Sequence, residues 1–274
     1  MGHEVLKLPR IEILTLDPET EEYLLSLAVH QEWFDDRGEL CMWATVREDR
    51  PCLVAPGFAV YELRDDAVVV TPFRPGVEGV VGDTYWRSVL PLFLQHLGAQ
   101  ALHASAVVGP HGVVGICGRA GAGKSTVAYG LSLRGHELWT DDALVVSSVS
   151  PPRTVALAGE IRLLPDARGH FGGVSDEISV ESEVGEERAL TLLVVLDVPV
   201  ATPQPWSLTS GEAFAAVVEH AYCYNLEATK REMTSDYLEL LEDVPVVQLS
   251  RPAGFEEFNG FLEVLEGLMV EGPP

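Results

Sequence analysis

A short glycine-rich stretch constrains the fold of this chain more than any other feature of its sequence. Residues 118–125 read Gly-Arg-Ala-Gly-Ala-Gly-Lys-Ser and match G-x-x-x-x-G-K-[ST] at every fixed position. An apolar segment, Val113–Cys117, enters the stretch, and an amphipathic segment leaves it. The sequence therefore predicts a strand, a phosphate-binding loop and a helix that starts in this loop. We call residues 118–123 the glycine loop.

Each residue type in this stretch has a physical reason to be there. Glycines let consecutive backbone N–H groups turn towards one phosphate, which would also lie at the positive end of the helix dipole. Lys124 would reach the β- and γ-phosphates of a nucleotide, and the Ser125 hydroxyl would bind Mg²⁺. The wider guanidinium of arginine would not fit so tight a ring. The residues predicted to hold the nucleotide are Gly118, Arg119, Ala120, Gly121, Ala122, Gly123, Lys124, Ser125 and Thr126.

A pair of aspartates follows the helix of this motif. A strand over Glu137–Thr140 would deliver Asp141 and Asp142 to its C-terminal end, which in a parallel sheet lies beside the glycine loop. Such a pair can hold Mg²⁺ through a water molecule and accept a proton from an attacking hydroxyl. A solvated turn between strands is the alternative. Upstream, His103 lies at the start of a buried strand. It could be a catalytic residue, or a histidine that belongs to the core or caps the strand.

The charge of the chain excludes some partners. The formal net charge is −24 and the pI is near 4.5, so the surface repels nucleic acid backbones and anionic lipids. No apolar run reaches the length of a membrane span. A basic peptide or protein would be attracted, although a merely solvated surface explains the charge equally simply. The four cysteines are scattered without metal-site spacing, which favours a reducing, cytoplasmic location.

The sequence changes character near residue 100. Residues 1–98 are predicted to be a β-rich N-terminal region that could recognise a substrate, and residues 99–274 an α/β nucleotide-binding domain. The predicted strands are Ile11–Leu16, Leu40–Val46, Ala59–Leu63, Ala67–Thr71, Ala106–Val108, Val113–Cys117, Leu192–Leu196 and Val246–Leu249. The predicted helices are Thr84–Leu97, Ala120–Arg134, Thr209–Tyr224, Glu227–Leu241 and Phe255–Met269.

Three stretches, "LHASAVV", "GRAGAGKST" and "LRGHELWTDD", occur in this order with matching gaps. Over about residues 102–146 they resemble the C-terminal domain of HPr kinase/phosphorylase and its relatives, which share their nucleotide-binding fold with ATP-dependent phosphoenolpyruvate carboxykinases. The resemblance implies a P-loop kinase core of this type, with ATP as the phosphoryl donor. It also implies that Lys124 and Ser125 serve phosphate and Mg²⁺, Asp142 accepts the proton, Asp141 lies on the metal side and His103 is an active-site partner.

A second signature of the family is only partly present. Glu160-Ile161-Arg162 resembles its start, whose glutamate binds metal, so the implied metal residues are Ser125, Asp141 and Glu160. An exposed glutamate is the alternative reading of Glu160. Leu163–Asp166 replaces the glycine-rich continuation that accompanies phosphorylase activity, which favours a kinase without that reverse activity.

The first hundred residues do not resemble the regulatory domain of the bifunctional enzymes. In this the chain is similar to HPr-kinase-related bacterial proteins that carry a different β-rich N-terminal part. Some of these proteins phosphorylate precursors of peptide natural products, lasso peptides among them. Because the family commonly assembles into rings, the resemblance also implies a homo-oligomer.

The sequence thus predicts an ATP-dependent kinase that acts on a hydroxyl, with a seryl residue of a protein or peptide as the expected acceptor. A small-molecule kinase or a carboxykinase-like enzyme is one alternative. A regulatory module that binds nucleotide without turnover is another, although such a module has no need for the intact Asp141–Asp142 pair. Neither nucleic acid nor membrane is expected as a partner.

Overall fold

Two large β-sheets and a two-stranded ribbon organise the chain into a mixed α/β fold. The structure is a computed structural model that describes residues 6–17, 19–34, 37–64, 66–175, 177–180, 182–197, 204–224 and 227–272. The strands of these residues are β1 Arg10–Ile13, β2 Gln31–Phe34, β3 Leu40–Arg47, β4 Arg50–Ala55, β5 Ala59–Arg64, β6 Ala67–Pro72, β7 Gln100–Leu102, β8 Ala104–Val108, β9 Val113–Cys117, β10 Leu138–Thr140, β11 Leu144–Val149, β12 Pro152–Val155, β13 Glu160–Arg162, β14 Glu177–Ser179, β15 Glu187–Asp197, β16 Pro205–Ser207 and β17 Val246–Ser250.

The helices lie mainly after residue 77. They are α1 Glu19–Leu24, α2 Glu78–Thr84, α3 Leu90–His96, α4 Lys124–Ser132, α5 Pro165–His170, α6 Ser210–Val218, α7 Glu227–Asp243 and α8 Phe258–Glu271, and a π-helical segment, Tyr85–Val89, joins α2 to α3. None of the helices in the described ranges is long and apolar enough to cross a bilayer.

The first sheet has the strand order β1-β6-β5-β4-β3-β2. Strands β2 to β6 form an antiparallel meander, and β1 adds to β6 in parallel. One face of this sheet packs on the helical stretch 78–96 in a core that includes Tyr61 and Phe93. Val145, Val155 and Tyr224 belong to the same core. The predicted boundary between residues 98 and 99 therefore crosses one continuous hydrophobic core, and a division into two domains stays a prediction.

The second sheet has the order β10-β8-β9-β15-β12-β11-β7, with β17 beside β15 and β16 beside β17. Apolar residues of its strands alternate between two cores. Ile116 packs with α4 and α8 on one face, and its neighbour Cys117 packs with α6 and α7 on the other. This is the alternation that a strand covered on both faces requires.

The expectation of a parallel sheet around the glycine loop is wrong in one respect. Strand β8 lies between β9 and β10 and runs antiparallel to both. Because β9 and β10 oppose the same strand, they still point the same way. The C-terminal ends of β9 and β10 therefore meet at one edge of the sheet, and the glycine loop and the aspartate pair lie together there.

Most predicted elements are confirmed, with shifted ends. Helix α4 begins at Lys124 instead of Ala120, because Gly121 and Gly123 have positive φ angles that a right-handed helix does not allow. The predicted capping box is present, since Thr209 and Glu212 bond each other's backbone N–H groups. Helix α6 ends at Val218, before the predicted Tyr224, because the chain there turns to pair with β7.

Close packing explains why a glycine lies in the middle of β9. A Cβ atom on Gly115 would lie 2.6 Å from Cδ2 of Leu144 and 2.7 Å from Cδ2 of Leu193. We expect Gly115→Ala to lower the free energy of unfolding by about 1–3 kcal/mol, because both leucines must shift in a closed core. Urea unfolding followed by tryptophan fluorescence measures the change.

Gly267→Ala is the matched control, because Gly267 lies inside α8 with open space around its Cα. This variant should raise the free energy of unfolding by about 0.5–1 kcal/mol. Equal stability of Gly115→Ala and the wild type would contradict the packing argument.

Candidate active site

The glycine loop closes tightly between β9 and α4. The φ angles are 75° at Gly121 and 91° at Gly123. A Cβ atom on Gly118 would come within 2.9 Å of the Cβ of Ala122, and the Ala122 N–H donates to the Arg119 carbonyl at 3.0 Å. Packing therefore requires glycine at position 118, and the positive φ angles favour glycine at positions 121 and 123, so the backbone carries no side chain at these three points. Backbone cradles of this kind bind anions.

Lys124 arches back over the loop that precedes it. Its Nζ donates to the Gly118 carbonyl at 3.0 Å, and the residue is only 7% exposed. Burial lowers the pKa of Lys124, and the nearby negative charge of Asp141 opposes that change. The Lys124 amine is thus held at the start of the glycine loop, within reach of a phosphate bound there.

Asp141 joins the helix after the glycine loop to the end of β10. Its Oδ1 accepts hydrogen bonds from the Ser125 hydroxyl at 3.0 Å and from the Ser105 hydroxyl at 2.5 Å. The residue is 8% exposed, and burial raises the pKa of its carboxyl, while the two hydroxyls and the charge of Arg87 lower it. A serine hydroxyl beside a carboxylate is the oxygen donor set that Mg²⁺ prefers.

Asp142 points elsewhere because its backbone is left-handed, with φ of 64°. Its carboxylate forms an ion pair with the guanidinium of Arg87, and its side chain remains 27% exposed. The carbonyl of Asp142 accepts from the Tyr222 hydroxyl at 3.1 Å and lies 3.1 Å from Nδ1 of His103. The two neighbouring aspartates therefore face different partners, and their roles as metal-side residue and base stay predictions.

The other predicted site residues are placed less centrally. Thr126 lines a cavity of about 260 Å³ on the side of the loop nearest α5 and α8. Arg119 is exposed and pairs with Glu219 at 2.8 Å. Glu160 begins β13, and its carbonyl accepts from Nη2 of Arg87 at 2.7 Å.

A metal role for Glu160 stays a prediction. In the part of the chain that the structure describes, no cluster of three or more His, Cys, Asp or Glu side chains is arranged to hold a metal ion. A Mg²⁺ ion here would draw on Ser125 and Asp141, with phosphate oxygens and water completing its shell. Mg²⁺ commonly binds in this way, with few protein ligands.

Three residues in contact with the aspartate pair are not singled out by sequence reasoning. Ser105 bonds Asp141, and it lies within "LHASAVV", so the motif itself could have pointed to it. Arg87 pairs with Asp142 and also bonds Asp83 at 2.8 Å. No local pattern marks Arg87 or Tyr222, since both reach the site only through the tertiary fold.

No family model matches the chain, and no curated protein matches it either. Among solved structures, the chain is similar to the HPr(Ser) kinase/phosphatase from Coxiella burnetii, with 19% sequence identity and a TM-score of 0.35. The similarity covers 63% of this chain and 89% of that one. A likeness this weak carries no inference about fold or activity, so both rest on the residues of the chain itself.

The first prediction for the site concerns its cation. We expect Lys124→Ala to weaken Mg·ATP binding by roughly 100-fold or more, because the charge-assisted hydrogen bonds to two phosphates are lost. Isothermal titration calorimetry measures the affinity, and thermal unfolding checks that the variant is folded. Lys230→Ala, on the exposed surface of α7, is the control and should bind like the wild type. Wild-type affinity in Lys124→Ala would contradict the assignment of the loop.

The second prediction concerns the buried carboxyl of Asp141. Its pKa in the folded chain is raised above the unfolded value near 4. The protonated form therefore favours folding: this stabilisation is complete below the unfolded pKa and is lost as the pH rises through the folded pKa. Asparagine carries no charge at any of these pH values, so Asp141→Asn does not lose stability as the pH rises. At neutral pH its Tm should exceed that of the wild type by about 2–4 °C for each kcal/mol of difference in the free energy of unfolding.

Thermal unfolding of the ligand-free protein between pH 4 and pH 8 tests this expectation. The difference in Tm between Asp141→Asn and the wild type should grow with pH. Asn259→Ala replaces an exposed, uncharged residue of α8 and should show a difference in Tm that does not change with pH. A difference that shrinks with pH for Asp141→Asn would overturn the sign.

Proposed function

We propose that this chain is an ATP-dependent kinase that transfers the γ-phosphoryl group of ATP to a hydroxyl. The contact between the Ser125 hydroxyl and the Asp141 carboxylate carries the proposal. It joins the helix that leaves the glycine loop to the acidic pair, so donors for phosphate and ligands for Mg²⁺ lie together. A solvated turn would leave Asp141 exposed, whereas it is buried and bonded by two hydroxyls.

The residues present fit Mg·ATP. The tight backbone of the glycine loop suits the phosphates, together with the amine of Lys124. Ser125 and Asp141 are suited to hold Mg²⁺, and Glu160 is a third proposed contact. The cavity of about 260 Å³ beside Thr126 leads away from the loop between Arg251 and Phe255, and it is the proposed place of the nucleoside. When bound, Mg·ATP supplies the transferable phosphoryl group and neutralises its charge.

The protein residues then have separate tasks. Lys124 binds and orients phosphate oxygens, and the closed glycine loop excludes side chains from the same space. Asp142 accepts the proton of the acceptor hydroxyl. The ion pair with Arg87 engages Oδ2 of Asp142, and Oδ1 is the oxygen that we assign to the proton. His103 and Tyr222 bond the carbonyl of Asp142 and hold its left-handed backbone in place. Positioning and charge neutralisation of this kind account for most catalysis of phosphoryl transfer.

The acceptor that we propose is a seryl residue of a protein or peptide. The net charge of −24 supports a basic polypeptide as partner. We also place the reaction in the cytoplasm, which agrees with the four cysteines: all are described, and none forms a disulfide. A homo-oligomer remains a proposal from the sequence.

Incubation with γ-labelled ATP, Mg²⁺ and candidate acceptors tests the function. Label in a serine-containing peptide or protein supports the proposal as it stands. Label in a small alcohol alone would support a small-molecule kinase instead. Nucleotide binding without any labelled product would point to a non-catalytic module and overturn the proposal.

The third site prediction assigns the base. Asp142→Asn keeps the size of the side chain and most hydrogen bonds but cannot take up the proton. We expect it to bind ATP nearly as well as the wild type and to turn over about 100- to 10,000-fold more slowly, the usual contribution of a general base. Single-turnover transfer and calorimetry measure the two quantities, with Asp243→Asn as the control.

Asp141→Asn should behave differently and raise the Mg²⁺ concentration needed for half-maximal turnover. Full turnover in Asp142→Asn, together with its loss in Asp141→Asn, would show that the two roles are exchanged. Full turnover in both variants would contradict the roles assigned to the aspartate pair.

A further inference from the structure

A second cavity, of about 540 Å³, opens on another side of the glycine loop. Residues from four parts of the chain form its walls. They are Gln31 and Trp33 of β2, His103, the start of the glycine loop, and the segment from Glu219 to Cys223. We call it the β2 cavity. The first sheet thus contributes part of the wall of a cavity that borders the nucleotide site.

The β2 cavity borders the residues that hold the backbone of the proposed base. His103 and Tyr222 line it, and both contact the carbonyl of Asp142 at 3.1 Å. The cavity beside Thr126 borders the glycine loop but contains no residue that bonds Asp142. The groove that contains Asp83 and Arg87 reaches Asp142 but contains no residue of the glycine loop. Of these three openings, the β2 cavity alone combines loop residues with residues bonded to Asp142.

The wall contributed by β2 is held in place by specific contacts. The Trp33 ring stacks on Tyr224 with centroids 6.3 Å apart and planes 5° from parallel. The side-chain amide of Gln31 donates to the Cys223 carbonyl at 2.7 Å. Gln95 of α3 adds hydrogen bonds to both the Tyr222 carbonyl and the Tyr224 N–H, each at 2.6 Å. A wall fixed before binding lowers the entropy cost of holding a ligand.

The surroundings of the cavity favour a polypeptide over a small alcohol. Strand β2 is at the edge of the first sheet, and Phe34, the residue after Trp33, is 56% exposed. The apolar surface continues at Leu40, opposite Phe34 on β3. At the cavity itself, Arg119 and Glu219 pair with each other, so the excess negative charge of the whole chain is left to attract a basic partner.

We propose that the β2 cavity binds the acceptor as a basic polypeptide segment, with its hydroxyl at Asp142 and a neighbouring residue against Trp33. This inference rests on the proposed kinase function and adds the place and the class of the acceptor. Trp33 is then a specificity-determining residue for the peptide and takes no part in binding ATP. Its position on β2 makes the first sheet part of the substrate site.

A library of short synthetic peptides tests the proposal. Each peptide carries one central serine between lysine and arginine residues, with the two flanking positions varied. Transfer from γ-labelled ATP gives kcat and KM for the best peptides, and calorimetry gives the affinity for Mg·ATP. We expect Trp33→Ala to raise the peptide KM about tenfold or more, as loss of a buried aromatic anchor does, with kcat and ATP affinity unchanged.

Matched variants separate binding from folding. Trp33→Phe keeps a ring against Tyr224 and should restore most of the peptide affinity. Trp206→Ala removes a partly exposed tryptophan of β16 that does not line the β2 cavity, and it should behave like the wild type. Unchanged ATP affinity shows that the nucleotide site of each variant is folded.

Cys223 offers a readout that does not depend on transfer, since this residue lines the β2 cavity and is partly exposed. The best peptide should slow the alkylation of Cys223 by a maleimide, measured by mass spectrometry without nucleotide. Labelled peptides with equal KM in Trp33→Ala and the wild type, or no protection of Cys223, would overturn the inference and leave the kinase proposal standing. Label only in free serine or glycerol would overturn the inference as well. No labelled product of any kind would overturn the kinase proposal and this inference together.

Discussion

The arrangement of the site depends on the buried carboxylate of Asp141. It lies at the end of β10 and binds Ser105 on β8 and Ser125 on α4, so three elements meet at one oxygen atom. A buried carboxylate without partners would be costly, and two hydroxyls offset only part of that cost. A divalent cation bound to the Asp141 carboxylate would offset the rest of this cost. Binding of a divalent cation here would lower the free-energy cost of the buried charge, to which Arg87 and Lys124 already contribute favourable interactions.

Much of the fold follows from local patterns. The sequence predicts β9 residue for residue, because a short apolar run directly before a glycine loop is typical of a buried strand with a defined end. Strand β4 is not among the predicted strands. Proline is disfavoured inside a sheet, yet Pro51 lies in this strand opposite Val46, and the strand pairs on both sides. The hairpin before it turns at Glu48 and Asp49, both with positive φ, and no glycine marks that turn.

The site is predictable only where its residues are close in sequence. Lys124, Ser125 and the aspartate pair belong to one strand–loop–helix–strand unit, so spacing alone brings them together. Arg87 and Tyr222 come from other parts of the chain and are brought to Asp142 by the packing of the first sheet and of α6 on the second sheet. Periodicity cannot show such contacts, because they depend on how whole elements pack. The antiparallel β8 between β9 and β10 is hidden for the same reason.

One hydrophobic core continues across the predicted boundary between residues 98 and 99. It also limits which changes the chain can accept in evolution. Val145, Val155 and Tyr224 are buried by the sheet and helices that precede them, so an exchange of the first hundred residues for another module would expose apolar surface unless these positions changed too. A change of the first hundred residues would then alter both the acceptor preference and the stability of the protein. A new substrate would be reached by substitution on β2 more readily than by recombination at the boundary.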